Sequence, residues 1–480
     1  MFNYFQRQAQ CYKVNVSYHE IRNAGEAAQN LPALKKYQMV MVSALVLSTI
    51  AFLGINVSSS FQQSSHFELF RNLGGLGPYI RGTGYGSKSE IPNGCVVDQI
   101  HMIARHGERY PTDAEGFDAT AQKLMNFANF KGTLKPLRRW DWKNVIYDGL
   151  NQYGQLTATG PYAGTLTWSK AATEFRTRYP AIWNFSSTEP TRIFASDSTR
   201  VIQSAIHFAK NFFANQYESL VELVIISEQD QTGDTLSPTD ACPAYMNEGL
   251  ELGNEKFDTF TATYLPNIAD RFNKQNPNLN LLPQDIYTMQ EMCGYEINAL
   301  GESPLCSVFE EEDWANFQYS RDLFFFYSCG PGNKYSITMG FPWINATRNL
   351  LLEGPRSGAL FFSFTHDGSI VPMITVLGLF NDVELPSERR RRFKTTDIVP
   401  MGARLVLERL SCGSSINVRV LVNDAVIPIE TCNSGPGSSC ELGQFDALIT
   451  KQGDRAGSFT SICGLTEGED SISFLWQRKN

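Results

Sequence analysis

Two guanidiniums flank one imidazole within Arg105-His106-Gly107-Glu108-Arg109. Arginine offers planar, bidentate donors that match phosphate oxygens, and a histidine held between two of them is placed to attack phosphorus. Further along, the chain carries His366-Asp367 and a third arginine, Arg200, in Ala195-Ser196-Asp197-Ser198-Thr199-Arg200-Val201. These six residues suit hydrolysis of a phosphate monoester without a metal. One histidine attacks phosphorus, while the arginines and the other histidine neutralise charge on the transferring group. The aspartate gives its proton to the leaving oxygen. Cationic surroundings predict a depressed pKa at His106. Asp367 is expected to hold its proton, so an acidic working range follows.

The three stations share one local pattern. Val96–Met102 is an apolar, β-branched run that reads as a buried strand. Pro111 and Thr112 stop it, and Thr112 or Asp113 could cap a helix over Asp113–Phe130. Thr191–Ala195 reads as a second strand, followed by a turn at Ser196-Asp197-Ser198 and a helix from Thr199 to about Gln216. Arg200 falls in that helix's first turn, where a cation opposes the dipole and a bound anion would give it a reason. Ala359–Thr365 is the most strand-like run of the C-terminal half, with His366-Asp367-Gly368 next and an apolar helix over Ile370–Leu377. All three stations therefore lie at strand C-terminal edges, where open α/β sheets bind ligands.

The connecting segments complete the architecture. Val221–Ser227 reads as a further strand, and Gly154–Tyr179 as one helix or two broken near Gly160-Pro161. Between about 240 and 330 helical patterns dominate, over Phe257–Asn273, Pro283–Leu300 and Trp314–Ser328. The fold class expected is α/β: a mixed, mostly parallel sheet flanked by helices, with an inserted helical subdomain lining the cleft. Arg404–Leu410 and Asn417–Val422 alternate apolar and polar residues, which predicts an antiparallel pair with a solvated face. Arg389-Arg390-Arg391-Arg392 reads as a solvated loop, with a processing site or a steering patch as alternatives.

Composition narrows the class. The chain has 480 residues, 42% hydrophobic and 19% charged, with net charge −8, which is globular rather than disordered. Nothing basic runs along a face, which argues against nucleic acid as a partner. None of the ten cysteines forms a CxxC pair, which argues against zinc. Residues 1–37 form a polar leader. Met39–Ile55 is a charge-free apolar run behind Lys35-Lys36, at the lower edge of the roughly 17–25 residues a spanning helix needs. Residues 38–56 read as a signal peptide or a signal anchor, 57–94 as a loop-rich lead-in or stalk, and 95–480 as the folded domain. Either reading sends the chain into the secretory pathway, to be secreted or held at the cell surface, with membrane contact only through residues 39–55 if uncleaved. Nine cysteines follow that segment, the count for four disulfides and one spare thiol. Sequons at Asn56, Asn184 and Asn345 also follow it and are candidate glycosylation sites. Oligomeric state is unreadable.

Arg105-His106-Gly107-Glu108-Arg109-Tyr110-Pro111-Thr112 resembles the signature of the histidine acid phosphatases. His366-Asp367 resembles their second signature, and Ala195–Val201 the segment that carries their third arginine. The resemblance runs from about Leu76 to Cys463 and has the character of the fungal branch of secreted acid phosphatases and phytases. It implies His106 as a nucleophile that becomes phosphohistidine, and Asp367 as proton donor. It implies phosphate binding by Arg105, Arg109, Arg200 and His366, with small phosphate monoesters as substrates and no cofactor or metal. It also implies disulfides Cys95–Cys412, Cys242–Cys463, Cys293–Cys306 and Cys432–Cys440, leaving Cys329 free. The long leader departs from the family's usual short signal peptide. A mutase of the related R-H-G superfamily would share the first motif but not Tyr110-Pro111-Thr112. The activity implied is an acid phosphatase working outside the cytosol, or alternatively a phytase preferring myo-inositol hexakisphosphate. Phytate favours a broad, lysine-rich pocket wall, whereas a generalist needs only the phosphate site. An inactive phosphate-binding homologue is the remote alternative; it predicts loss of a motif residue, and all are present.

Overall fold

Two strands, β1 (Cys95–Arg105) and β4 (Leu360–Thr365), lie side by side in the middle of the sheet and are almost wholly buried. Their residues are apolar on both faces, the pattern of strands covered by helices on either side. The structure is a computed structural model that describes residues 69–146, 152–183, 190–382, 384–385 and 391–476. The leader, the segment 38–56, the sequons Asn56 and Asn184, and Arg389 and Arg390 lie outside the described residues. Among the described residues no helix is long and apolar enough to cross a membrane.

The remaining strands are β2 (Thr191–Ser196), β3 (Val221–Ile226), β5 (Arg404–Cys412), β6 (Ser415–Val422), β7 (Ala425–Val426) and β8 (Cys440–Glu441). The order is β3-β2-β4-β1-β5-β6-β7, with β8 also pairing to β6. β3, β2, β4 and β1 run parallel, so their C-terminal ends share one edge. β5 and β6 are antiparallel. The expected mixed, mostly parallel sheet is present.

Among the described residues nine long helices carry the packing: α1 (Ala114–Met125), α2 (Gly164–Arg178), α3 (Thr199–Phe213), α4 (Leu250–Gln275), α5 (Pro283–Leu300), α6 (Glu311–Ser328), α7 (Ser336–Glu353), α8 (Asp367–Val376) and α9 (Leu442–Ala456). Alternation along the strands sends Met102, Ala104, Ile193, Ala195, Phe362 and Phe364 to one face, against α2 and α3. Trp168 meets Phe364 and Phe208 meets Phe362 there, each pair edge-on with ring centroids 4.9 Å apart. Ile103, Phe194, Phe361 and Leu405 face the other way, against α7, α8 and α9.

The helical subdomain has its own core, but its membership differs from the expectation. Phe257, Tyr287, Trp314 and Phe317 of the insertion pack with Phe117, Leu124 and Trp142 from the β1–β2 connection, and with Leu73 and Leu76. The lead-in is thus loop-rich, as its glycines imply, yet residues 73–80 are packed inside the protein rather than forming a stalk, and residues 81–94 run along its surface. Only the second half of 154–179 is helical, as α2, and Asp113 rather than Thr112 caps α1 by accepting from the Gly116 amide. Helix α7 went unforeseen. It is buried on most of its faces and contains Pro342, so no amphipathic period marks it.

The expected solvated face of β5–β6 is instead a buried ionic layer. Glu408 and Arg419 stand opposite each other in the ladder, both fully buried, with Arg419 Nε donating to Glu408 at 2.6 Å. Alternating charge looks the same in sequence whether it meets water or counter-charges. Arg391 is likewise no solvated loop residue: its Nε donates to Asp322 of α6 at 2.6 Å and it is buried. Asn345 sits within α7, half-buried, with Thr347 fully buried beside it. A glycan there would have to be added before that helix packs. The four disulfides are those implied by the resemblance, and Cys329 is free and buried.

Candidate active site

The shared strand edge opens into one cavity of about 170 Å³, lined by Arg105, His106, Arg109, Arg200, His366 and Asp367. All six residues named from the motifs therefore face one space. β1 ends at Arg105, so His106 is the first residue past the strand. Its amide donates to Thr365 O of β4 at 3.0 Å, and its carbonyl accepts from Gly402 at 2.9 Å. Gly107 then passes α2 so closely that a Cβ would lie 2.9 Å from Gly164 Cα. Only glycine fits there.

Arg105 is held from three sides. Its Nη1 donates to the carbonyls of Gly75 and Val399 at 2.6 Å each, and Nη2 pairs with Asp367 Oδ2 at 2.8 Å. Gly75 belongs to the lead-in, which Arg321 also grips by donating to Gly74 O at 3.0 Å. Arg109 donates to Tyr110 O at 2.9 Å and lies 5.4 Å from the Tyr295 ring centroid. Arg200, in the first turn of α3 as expected, places Nη2 3.4 Å from His366 Nδ1. The rings of His106 and His366 are 5.6 Å apart.

His106 Nδ1 lies 2.8 Å from its neighbour's carbonyl, Gly107 O. A carbonyl can only accept, so Nδ1 carries the proton and Nε2 carries the lone pair. The pKa of His106 is well below the usual histidine range. Burial is the largest cause, followed by Arg200, Arg105, Arg109 and His366. The direction agrees with the sequence expectation; the ranking of causes does not. Arg105 is lowered to about 10, chiefly by burial, against the opposing pull of Asp367.

Asp367 departs from expectation. Burial acts to raise its pKa, but Arg105, and then His366, outweigh burial and leave it below the usual carboxylate range. In this arrangement the carboxyl is ionised, because its nearest partner is a guanidinium.

A family model for the histidine phosphatase superfamily, branch 2, matches residues 96–423. The chain belongs to this family. A phytase of Candida albicans is 35% identical over 463 residues, covering 92% of this chain and 98% of that protein. An acid phosphatase of Komagataella pastoris is 35% identical over 444 residues, covering 88% and 93%. The crystal structure of a phytase from D. castellii superposes with a TM-score of 0.81 at 31% identity, covering 87% and 93% of the two chains.

This histidine phosphatase also brings to the cavity residues that motif reading missed. Glu228 Oε1 lies 2.6 Å from His366 Nε2. Burial would raise its pKa, but His366, with Ser196 and Arg200, lowers it to about 2. Asp240 also lines the cavity and is raised to about 6, mainly by burial. Arg321 and Glu291 form a buried pair at 3.8 Å in the cavity wall. Glu228 had a readable signal, because it stands two residues past the end of β3, at the same edge as the motifs. Among the described residues, no group of three or more His, Cys, Asp or Glu is arranged to hold a metal ion.

Proposed function

We propose that the chain is an acid phosphatase that hydrolyses phosphate monoesters through a phosphohistidine on His106. The observation that carries this is the His106 ring: Nδ1 is committed to Gly107 O, which leaves Nε2 as a nucleophile among three arginines. Nε2 attacks phosphorus, the N–P bond forms, and the P–O bond to the leaving group breaks. Arg105, Arg109, Arg200 and His366 bind the phosphoryl oxygens and stabilise charge that spreads over them. Asp367 gives its proton to the leaving oxygen. Water then attacks phosphorus, the N–P bond breaks with its electron pair returning to His106 Nε2, a water proton returns to Asp367, and inorganic phosphate leaves. For this Asp367 must be protonated, although Arg105 holds it ionised. A substrate dianion drawn to the same guanidinium weakens that hold, so proton uptake accompanies binding and rates rise into acid.

The leaving-group side supports simple monoesters over phytate. No lysine is among the described residues that line the cavity. Arg321 is already paired with Glu291, and Asp240 is acidic. The phytase reading is favoured instead by the names of two of the relatives. Four disulfides suit an oxidising compartment, so we place the working enzyme outside the cytosol.

The decisive assay is phosphate release from an aryl monoester near pH 5, with and without a chelator, in wild type and His106→Ala. The variant is expected to lose about 10³-fold or more while keeping its melting temperature. A fully active His106→Ala sinks the assignment, and an inert wild type that binds phosphate would favour the non-catalytic homologue. Rates on phytate and on simple monoesters then separate the two substrate readings.

A further inference from the structure

Neither motif contains Glu228, and the mechanism above gives it no task. We propose that Glu228 is a positioning residue for phosphate binding: it orients His366 with Nδ1 toward Arg200 and supplies the counter-charge when that nitrogen takes a proton. The inference rests on the reading of this cavity as a phosphate site.

Arginine has donors only, so Arg200 Nη2, 3.4 Å from Nδ1, can face only that atom's lone pair. The proton of the neutral ring is then on Nε2, where the Glu228 carboxylate accepts it at 2.6 Å. A phosphate oxygen arriving between Arg200 and His366 needs a donor from each. Nδ1 must gain a proton, and the ring becomes an imidazolium. The Glu228 carboxylate at Nε2 makes that charged state part of a neutral, hydrogen-bonded pair. Other groups act on the ring from the surrounding elements. Arg200 opposes added positive charge, the neutral His106 ring adds none, and Asp240 and Asp367 favour it. Glu228 touches the ring nitrogen itself and is fixed in place. Its amide donates to Asp197 Oδ1 at 3.2 Å. Edge strand β3 is thereby tied to the catalytic edge.

The test is calorimetric binding of inorganic phosphate to the full-length protein between about pH 4.5 and 7, alongside KM and kcat on an aryl monoester. Glu228→Gln keeps the size and can still accept from Nε2, but carries no charge. Relative to wild type, its phosphate affinity is expected to fall about tenfold near neutrality and to recover toward acid, the size of losing one close opposite charge. KM should follow that pattern more than kcat. In a His366→Asn background the same substitution should add little, since it acts through that ring. A loss of equal size at every pH overturns the proposal, as does a full loss that persists without His366. A wild type that binds phosphate yet releases none from monoesters sinks the catalytic reading alone.

Discussion

Two groups of buried arginines lie in and beside the sheet, and they do opposite work. Between β5, β6 and α2, Glu408 is bracketed by Arg419 at 2.6 Å and Arg178 at 2.8 Å, and Tyr179 OH donates to it at 2.6 Å. Arg404 is matched in the same way by Asp424, its Nε donating at 2.8 Å. In both Arg178 and Arg404 the carboxylates outweigh burial and raise the pKa. At the catalytic edge the balance reverses. Burial lowers Arg105 to about 10 despite Asp367, and the collected cations help depress His106. A scaffold arginine is one whose charge the fold has already answered. A substrate arginine is held, largely by backbone carbonyls such as those of Gly75 and Val399, with positive potential left over for an anion.

The contrast breaks most sharply at Arg419. Replacing it with methionine leaves Glu408 buried with one guanidinium fewer, which is expected to cost about 3–5 kcal/mol of stability in denaturant unfolding. The folded fraction should keep its kcat. Loss of turnover without loss of stability would erase the distinction. Arg200→Met is the mirror experiment. Turnover on an aryl monoester should fall about 10²–10³-fold. The melting temperature should hold or rise slightly, because a cation in the first turn of α3 opposes the helix dipole. A strong drop in melting temperature would class Arg200 with the scaffold.

Sequence patterns revealed the catalytic edge better than the ionic layer, for a physical reason. His106, Arg200 and His366-Asp367 each follow a short apolar strand and precede a helix, so local pattern places each one, and parallel pairing then brings them together. Glu408 and Arg419 also sit in readable strands, but their partners Arg178 and Tyr179 lie 230 and 229 residues from Glu408 in sequence. Nothing local separates such a layer from a wet face. Glu228 meets His366 from 138 residues away. The lead-in is a subtler case. Its glycines suggest a stalk, yet Gly75 is at φ +79° with a Cβ position 3.0 Å from Val399 O, a backbone pressed against Arg105's support.

Carboxylates sharpen the same comparison. The Glu408 side chain is fully buried, whereas that of Asp367 keeps 24% of its exposure and faces the cavity. Asp367→Asn is expected to slow hydrolysis of an alkyl monoester, whose leaving alkoxide needs a proton, by about 10²-fold. An aryl monoester with a good leaving group should suffer much less. Equal losses on both would make Asp367 a partner for Arg105 rather than a proton donor.

The smallest effect concerns two histidines, one inside β1 and one just past its end. His106 is depressed by burial and neighbouring cations and keeps Nε2 for chemistry. His101, five residues earlier, is fully buried and stacked 4.4 Å from Phe361, with no hydrogen-bond partner on either ring nitrogen among the described residues. Burial alone lowers it to about 3. Its folded pKa lies below the unfolded value of 6.5, so the unfolded chain binds the extra proton between those two values. Stability is therefore complete above pH 6.5, declines as pH falls, and levels off near 3. At pH 5 the loss is about 2 kcal/mol, from 1.36 kcal/mol per unit. His101→Phe, which preserves a ring against Phe361, should raise the melting temperature more at pH 5 than at pH 7.5 and leave KM unchanged. A gain that is the same at both pH values would mean that packing, not the proton, sets the cost of His101.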